Sequence, residues 1–417
     1  MSERAPLAVE DQPEDPKQPS VPAGDDRGGS GIRQYLGRNL REYGMMAALI
    51  VIVLLFQWLS DGRLLIPNNI ASLVQQNAYV LILTIGMVMV IVAGHIDLSV
   101  GSVVAFVGGL AAVMMTSWDV NWLLASVLAI GVGGLVGVWQ GFWVAYVGIP
   151  AFIVTLAGML IFRGLAIVIV GTTVAGLPPQ FNRISNGYVT NALGYVANLD
   201  VITLLIGGLA IAGLVVTQLR SRSALKRMDL TTEPSGAFVG KLALFAVLIG
   251  YVTYQLARSA GGMPIVLIIV GVLIVLYTFV MGRTVFGRHV YAMGGNLHAA
   301  VLSGVNTRRV NFLIFVNMGL LAGIAAVVTT SRAGAGVAAA GQNFELDAIA
   351  AAFIGGTAVT GGIGKVSGAI VGALIMGVLN MGLSILNVDP AWQMAIKGLV
   401  LLAAVAFDIV NKRRAGA

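Results

Sequence analysis

The sequence predicts an all-α polytopic membrane protein with about 12 transmembrane helices, some of them broken or re-entrant. Of its 417 residues, 58% are hydrophobic and only 10% are charged, whereas soluble domains are about 45–50% apolar and about 25% charged. A helix needs roughly 20 residues to cross a hydrocarbon core about 30 Å thick, so the apolar share suffices for about twelve crossings. The 54 glycines are typical of closely packed or interrupted transmembrane helices.

The composition also excludes several kinds of site. The chain has no cysteine and three histidines, so it has no thiolate ligand, and no metal site or catalytic site is predicted. A phosphate-binding loop is excluded at Lys365, because Val359 stands where its first glycine is needed and Val366 where Ser or Thr is needed. The net charge of +7 comes without basic runs interleaved with aromatics, so it indicates membrane topology and not nucleic-acid binding.

The chain divides into a polar tail, a long apolar region and a short second tail. Residues 1–43 are rich in Pro, Asp, Gln, Gly and Arg, which predicts a flexible segment and is unlike a signal peptide. The transmembrane domain is predicted over 44–410 and a tail over 411–417. The predicted spans are 44–60, 69–92, 100–116, 122–146, 150–171, 199–219, 241–257, 263–282, 311–331, 347–363, 366–388 and 390–410.

The distribution of basic residues predicts the orientation of these spans. With the amino terminus in the cytoplasm, nineteen of the 25 Lys and Arg residues lie in cytoplasmic segments and four lie in outer loops. This asymmetry follows the positive-inside rule. Both tails, and the loop over residues 283–310, are therefore predicted to be cytoplasmic.

Two glycine-rich interruptions resemble each other. Shifting the chain by 267 residues lays 94–101 over 361–368 and Gln75 over Gln342. The similarity is either a chance likeness of two glycine-rich stretches or a parallel internal repeat, and in the second case both breaks are expected to face one pathway.

Polar residues interrupt the apolar runs at three places. Asp97 and Ser99 either cap the third span or line a pathway. Arg163, inside the span that Pro150 begins, either extends its guanidinium towards the membrane surface, pairs with an acid or contacts a solute. Between the ninth and tenth spans, amides, an aromatic ring and acids suit a hydroxylated solute, although Glu345 and Asp347 also suit the start of a helix. The candidate pathway residues are Gln75, Asn77, Asp97, Ser99, Phe152, Thr155, Asn343, Phe344 and Glu345.

The cytoplasmic loop 283–310 contains a predicted short helix. Asn296 can act as an N-cap, Leu297 to Leu302 form the helix, and Gly304 ends it. The apolar face of such a helix requires either a protein partner or the membrane surface.

Four motifs, in this order, resemble a known family: 94–102 (GHIDLSVGS), 150–156 (PAFIVTL) with Arg163 and Gly164, 291–304 (YAMGGN and AVLSG), and 353–364 (FIGGT and GGIG). They are similar to the permease subunits of bacterial ABC importers for monosaccharides, the ribose, xylose, arabinose and galactose permeases. The extra apolar pair over 241–282 is most like the xylose-type permeases. His95 departs from the pattern, since the family more often has glycine there.

The resemblance implies a type II-like importer architecture in the bacterial inner membrane. Two permease copies would form the pathway, a periplasmic sugar-binding protein would deliver a monosaccharide such as the pentose xylose, and an ATP-binding subunit would use ATP. The permease itself would be no enzyme and would bind no cofactor. The residues implied in coupling to the ATPase are Gly294, Gly295, Asn296, Ala299, Ala300, Ser303 and Gly304.

Two alternatives remain open at this point. An ion-coupled secondary transporter of a small polar solute requires a buried coupling acid, for which Asp97 is the candidate. A membrane enzyme requires paired carboxylates or a histidine cluster within the spans, and the sequence has neither. Uptake in vesicles that needs no ATPase and collapses with an ionophore would favour the secondary transporter.

Overall fold

The computed structural model describes residues 40–228 and 232–415, so the predicted amino-terminal tail lies almost wholly outside the described residues. The described chain is helical, with two short two-stranded sheets. Its helices are α1 (Leu40–Leu59), α2 (Pro67–Val92), α3 (Val100–Thr116), α4 (Trp122–Phe142), α5 (Ala151–Val170), α6 (Pro179–Asn186), α7 (Val201–Arg227), α8 (Ser235–Arg258), α9 (Ile265–Arg283), α10 (Val285–Gly295), α11 (Leu297–Leu302), α12 (Thr307–Ala333), α13 (Phe344–Ile354), α14 (Val366–Ile385) and α15 (Pro390–Ala415).

The two sheets are small and antiparallel. Strand β1 (Thr173–Val174) pairs with β4 (Gly336–Val337), and β2 (Tyr195–Val196) pairs with β3 (Leu199–Asp200). A π-helical turn, Trp143–Val147, extends α4. The last helix runs to Ala415 and so includes part of the predicted carboxy-terminal tail.

The apolar helices make this a multi-pass membrane protein. Within residues 40–228 and 232–415, eight helices are long and apolar enough to cross a membrane, and three shorter apolar ones lie at Gly44–Leu59, Val100–Thr116 and Pro390–Ala406. The eight are α2, α4 with its π turn, α5, α7, α8, α9, α12 and α14. These eleven helices match eleven predicted spans, but the count of about twelve transmembrane helices is not confirmed.

The tenth predicted span is wrong as a continuous helix. In place of a span over 347–363, α13 covers only Phe344–Ile354, and the chain beyond it is irregular up to Val366. Gly356, Gly361 and Gly362 there have φ of 87°, 80° and 74°, which is the left-handed region that favours glycine. The run is apolar enough to cross a membrane, but its glycines break the helix.

Helix α2 is the centre of the bundle. Most of its residues are buried, and it packs against α12, α14, α13 and α9. Its sequence from Val80 to Val92 is an apolar run without a polar face, apart from Thr84, as expected for a helix surrounded by protein and not by lipid on one side.

The tightest helix pair, α4 with α12, is built on glycine. Gly133, Gly137 and Gly141 recur every four residues on α4, opposite Gly319 and Gly323 of α12. A Cβ atom at Gly137 would overlap the carbonyl of Phe315, and one at Gly319 would overlap the carbonyl of Gly133. Small residues at this spacing let transmembrane helix backbones approach closely, which confirms the sequence-based interpretation of the glycine excess.

The bundle has two ends, defined here by their contacts. At the loop end, the Gly362 amide donates to the Val92 carbonyl at 2.8 Å, so the end of α2 lies beside the chain that follows α13. At the far end, Gln255 donates to the Leu65 carbonyl at 2.8 Å, and Ser331 donates to the carbonyl of Phe181 at 2.8 Å. The loop end thus carries residues 284–306 and 355–365, and the far end carries 60–66, 172–200 and 259–264.

Candidate functional site

Two helices begin inside the bundle and not at its ends. Helix α3 follows an irregular stretch, 93–99, that turns back from the loop end. Helix α13 follows a stretch, 336–343, that consists of strand β4 and a series of turns and enters from the far end. The first residues of α13 contact Tyr79 in the middle of α2. Irregular backbone at membrane depth is tolerated where protein or a water-filled cavity surrounds it, and it commonly marks transport pathways.

The start of α3 is held by a buried polar cluster. One oxygen of the Asp97 carboxylate accepts hydrogen bonds from the backbone amide of Ser99 at 2.8 Å and from its hydroxyl at 2.6 Å. Gln140 of α4 donates to the same hydroxyl at 2.6 Å, and Thr155 of α5 donates to the carbonyl of Ile96 at 3.3 Å. Asp97 therefore stabilises the turn that begins α3, while α4 and α5 hold it from the side.

The turns before α13 are held by Arg163. Its guanidinium donates to the carbonyls of Ala338 and Ala340 at 3.0 and 2.7 Å. These carbonyls have no helical partner, and an unpaired backbone carbonyl at membrane depth costs several kcal/mol. Arg163 thus donates to carbonyls of the interrupted backbone, a role that none of the three sequence-based alternatives included.

The start of α13 carries an aromatic pair beside an ion pair. The ring of Phe344 stacks on that of Tyr79, with centroids 3.5 Å apart and planes 15° apart. The Tyr79 hydroxyl donates to the Asp347 carboxylate at 2.7 Å. The ammonium group of Lys397 on α15 lies 3.2 Å from the same carboxylate. These contacts connect α2, α13 and α15 at one point. The carboxylate of Asp347 is the common partner of Tyr79 and Lys397 there.

A second polar contact on α2 lies towards the far end. Asn380 of α14 donates to the side-chain oxygen of Asn77 at 3.1 Å, and Asn77 donates to the carbonyl of Leu73 at 3.0 Å. Gln75 is also buried, and its side-chain nitrogen has no hydrogen-bond partner among the described residues. Both predicted amides on α2 thus face protein and not lipid.

The two helix starts meet at Gly101 and Gly341. A Cβ atom on Gly101 would overlap the carbonyl of Gly341 and a carboxylate oxygen of Glu345. Because Gly101 is the second residue of α3 and Glu345 the second of α13, this contact joins the clusters at the two helix starts into one polar region. The two glycine-rich breaks also touch at the loop end, where Gly361 packs against Gly94.

Besides Gln75 and Asn77, two more candidate pathway residues lie outside this polar region. The side chain of Phe152 is 54% exposed on the outer surface of α5, so this chain alone does not bring it to the site. Asn343 has a φ of 63° and directs its amide towards the sulfur of Met394 on α15, 3.3 Å away. Among the described residues, no group of three His, Asp or Glu side chains is arranged to hold a metal ion.

The predicted short helix in the loop 283–310 is confirmed as α11. The Asn296 side chain accepts from the backbone amide of Ala299 at 3.0 Å, and Gly304 has a φ of 83°. Ala300 is buried, whereas Leu302 is 89% exposed and Val301 is half exposed. A partner can therefore contact the exposed apolar side chains of α11, Leu297, Val301 and Leu302, but not that of Ala300. The other predicted coupling residues Gly295, Ala299 and Ser303 are exposed, and Gly294 is half-buried.

Sequence reasoning missed three residues of the polar region. Lys397 could have been found, because a lone charge inside an apolar run signals function in a membrane protein. Tyr79 and Gln140 carry no such signal, since each is one polar group in a helix whose inward face the sequence does not reveal. The candidates it did find, Asp97, Ser99, Thr155, Phe344 and Glu345, all lie in this region.

Comparison with known proteins decides the family. Residues 69–405 match the family model described as the branched-chain amino acid transport system permease component. The xylose transport system permease protein XylH of Escherichia coli is 40% identical over 390 residues, which cover 93% of this chain and 95% of that protein. The chain belongs to the family of ABC sugar permeases. The resemblance in its four motifs is thereby confirmed.

Other members of the ABC sugar permease family match with similar coverage. The XylH protein of Haemophilus influenzae is 40% identical over 377 residues, 90% of this chain and 98% of that protein. The ribose import permease protein RbsC of Escherichia coli is 31% identical over 385 residues, 92% of this chain and 98% of that protein. These relatives are named as transport permeases and not as enzymes. No solved structure matches the chain significantly.

Proposed function

We propose that this sugar permease carries a pentose, xylose or a close analogue, across the bacterial inner membrane as part of an ATP-driven importer. The observation that carries the cargo class is the 40% identity with two xylose permeases against 31% with the ribose permease, each over about nine-tenths of the chain. The family model is named for amino acid transport, so family membership alone does not identify the cargo.

In this proposal the sugar passes the polar region where α3 and α13 begin. Hydroxyl groups of a monosaccharide can exchange hydrogen bonds with Asp97, Ser99 and Glu345, and the ring of Phe344 offers an apolar surface to the carbon skeleton. The further candidates are Gln75 and Asn77 on α2, Thr155 on α5 and Asn343 just before α13. Phe152 would join only from the surface of α5. Such contacts must be weak, because a pathway has to release its cargo.

The proposed partners follow the two ends of the bundle. We assign the loop end and both chain termini to the cytoplasm, because nineteen of the 25 Lys and Arg residues then lie on the cytoplasmic side of the membrane. An ATP-binding subunit would dock on α11, whose exposed apolar residues Leu297, Val301 and Leu302 need a cover. A periplasmic sugar-binding protein would dock on the far end. A second copy of the permease would complete the pathway, and this chain would bind no cofactor of its own.

The test is transport by a reconstituted complex. The permease is purified with its ATP-binding subunit and reconstituted in proteoliposomes. The pentose-binding protein and labelled xylose are enclosed in the lumen, and ATP is added outside. Permease molecules inserted with their cytoplasmic side outward then move xylose out of the lumen, and the label released to the outside is measured. We expect flux that needs ATP and the binding protein, is insensitive to an ionophore, and is greater for xylose than for ribose. Flux that needs neither ATP nor partners and collapses with an ionophore would instead establish a secondary transporter.

A further inference from the structure

A short contact set at the loop end connects the coupling loop to the end of α2 and to the chain that follows α13. It consists of Tyr291 and Gly294 on α10, which face Val92 at the end of α2 and Gly362 and Gly364 after α13. We call these five residues the loop clamp. Tyr291 and Gly294 lie one helical turn apart, so they share one face of α10.

The clamp combines close backbone contacts at Gly294 with one side-chain hydrogen bond from Tyr291. A Cβ atom on Gly294 would overlap the Val92 carbonyl and would lie 2.6 Å from the Gly362 nitrogen. That nitrogen donates to the Val92 carbonyl at 2.8 Å. The Tyr291 hydroxyl donates to the Gly364 carbonyl at 2.6 Å, and burial raises the pKa of Tyr291, which keeps the hydroxyl protonated. Helix α10 therefore contacts both the end of α2 and the loop beyond α13, and it holds them next to each other.

On one side, the clamp is continuous with α11. Only Asn296 separates α10 from α11, and it belongs to both: its amide donates to the Ala292 carbonyl at 3.0 Å, and its side chain caps α11 at Ala299. A displacement of α11 is therefore passed directly to α10, because no flexible linker lies between them.

On the other side, the clamp is continuous with α13. The loop from Gly355 to Lys365 is tied to itself and to the helix, since Thr357 donates to the Ala352 carbonyl at 3.0 Å and Ala358 donates to the Ile363 carbonyl at 2.8 Å. The opposite end of α13 carries Phe344 and Asp347, which contact Tyr79 of α2. The clamp thus holds, at the loop end, the same two chain segments that meet at Tyr79, about 20 Å away along α2.

We propose that the loop clamp is the joint through which movement of α11 shifts α13 against α2 and thereby opens or closes the polar region at Phe344. This inference rests on the proposed function, in which an ATP-binding subunit moves α11. It makes Tyr291 and Gly294 positioning residues for transport, although they contact neither the sugar nor ATP. The element with two positions is α13, and the two sites it connects are α11 and the start of α13.

Tyr291→Phe is the main test, because it keeps the ring and removes only the hydrogen bond to Gly364. In the reconstituted complex we measure sugar moved per ATP hydrolysed. We expect this ratio to fall by about tenfold, within the usual range of coupling between two sites, while assembly and ATP hydrolysis persist. Gly294→Ala should lower it further, and Gly282→Ala is its control, because a Cβ atom on Gly282 meets open space.

A second measurement reads the position of α13 directly. The chain has no cysteine, so Gln342→Cys, at an exposed residue just before α13, introduces a single thiol. We expect a non-hydrolysable ATP analogue to change its rate of labelling by a polar maleimide, and Tyr291→Phe to reduce that change by about tenfold. This readout would not respond to a loss of stability alone.

The outcomes separate the clamp from the proposed function. If the parent complex moves no sugar with ATP, the proposed function fails and the clamp proposal fails with it. If the parent complex transports but Tyr291→Phe retains both the parental ratio and the nucleotide-dependent labelling, only the clamp proposal is overturned. Should Gly294→Ala fail to fold, the Tyr291→Phe comparison still decides between these results.

Discussion

The carboxylate of Asp347 lies 3.2 Å from the ammonium nitrogen of Lys397, and their side chains are 3% and 23% exposed. The hydroxyl of Tyr79 donates to the same carboxylate. The pair connects α13 to α15. Removal of either partner would break this connection, and removal of Lys397 would leave the buried charge of Asp347 uncompensated. This relationship leads to the first prediction.

Lys397→Met should destabilise the permease by about 3–5 kcal/mol, the usual result of breaking a buried ion pair. The double variant Asp347→Asn with Lys397→Met should recover part of that loss, since no unpaired charge remains. Thermal unfolding of the detergent-purified protein measures both. Lys241→Met is the matched control, because the Lys241–Glu233 pair has the same 3.2 Å separation but is 25% and 30% exposed and should contribute about 0–1 kcal/mol. Equal effects of Lys397→Met and Lys241→Met would contradict the prediction.

Arg163→Met should expose the stretch 336–343 to proteolysis and lower sugar flux, because the carbonyls of Ala338 and Ala340 lose their donors. A buried carbonyl left unpaired costs about 1–3 kcal/mol, and of these two residues Ala338 is buried and Ala340 half-buried. Arg163→Lys keeps the charge and one donor group, so it should give an intermediate result. Limited proteolysis followed by mass spectrometry locates the exposed stretch. A normal cleavage pattern in Arg163→Met would show that other contacts hold the stretch.

Gly101→Ala should destabilise the fold by about 1–3 kcal/mol, the range for overpacking a filled interior. The added methyl group would overlap the Gly341 carbonyl and the Glu345 carboxylate. The Glu345 side chain could shift, but the Gly341 carbonyl could move only with its backbone. Gly131→Ala is the control, since nothing lies within 4 Å of its Cβ position. The melting temperature of the two variants in one detergent gives the comparison, and no difference between them would count against the meeting of the two helix starts.

Asp97→Asn should keep at least about half of the parental flux, because Asn accepts hydrogen bonds at a helix start as Asp does. Asp97→Leu removes the acceptor of the Ser99 amide and hydroxyl and should cost about 1–3 kcal/mol in stability. Flux and melting temperature are measured on the same preparations. An inactive, stable Asp97→Asn variant would instead indicate that a titrating acid is needed, as in ion-coupled transport.

Leu302→Glu should abolish copurification of the ATP-binding subunit, since it places a charge on the 89% exposed side chain of α11 that the proposed partner would bury. Charged groups are excluded from the centres of such interfaces. Leu302→Met keeps an apolar side chain of similar size and should retain the partner. Undiminished copurification with Leu302→Glu would remove α11 from the proposed docking surface.

The sequence by itself determined the helices and their local ends. Long apolar runs bounded by glycine, proline and polar residues predicted eleven helices close to their observed bounds, and the Asn296 cap predicted α11 to the residue. The excess of glycine predicted close helix packing, which the contact of Gly137 with Phe315 confirms. Each of these features depends on neighbours within a turn or two, so it can be deduced from the order of residues.

Only the tertiary structure decided which distant residues meet. Tyr79 and Asp347 are 268 residues apart, and Arg163 pairs with carbonyls of Ala338 and Ala340 that any residue would supply. The clamp at Gly294 and Gly362 is likewise a backbone contact. In a chain whose helices are apolar on all sides, no polar face indicates which side turns inward, so partners are chosen by packing in three dimensions and cannot be deduced from local sequence.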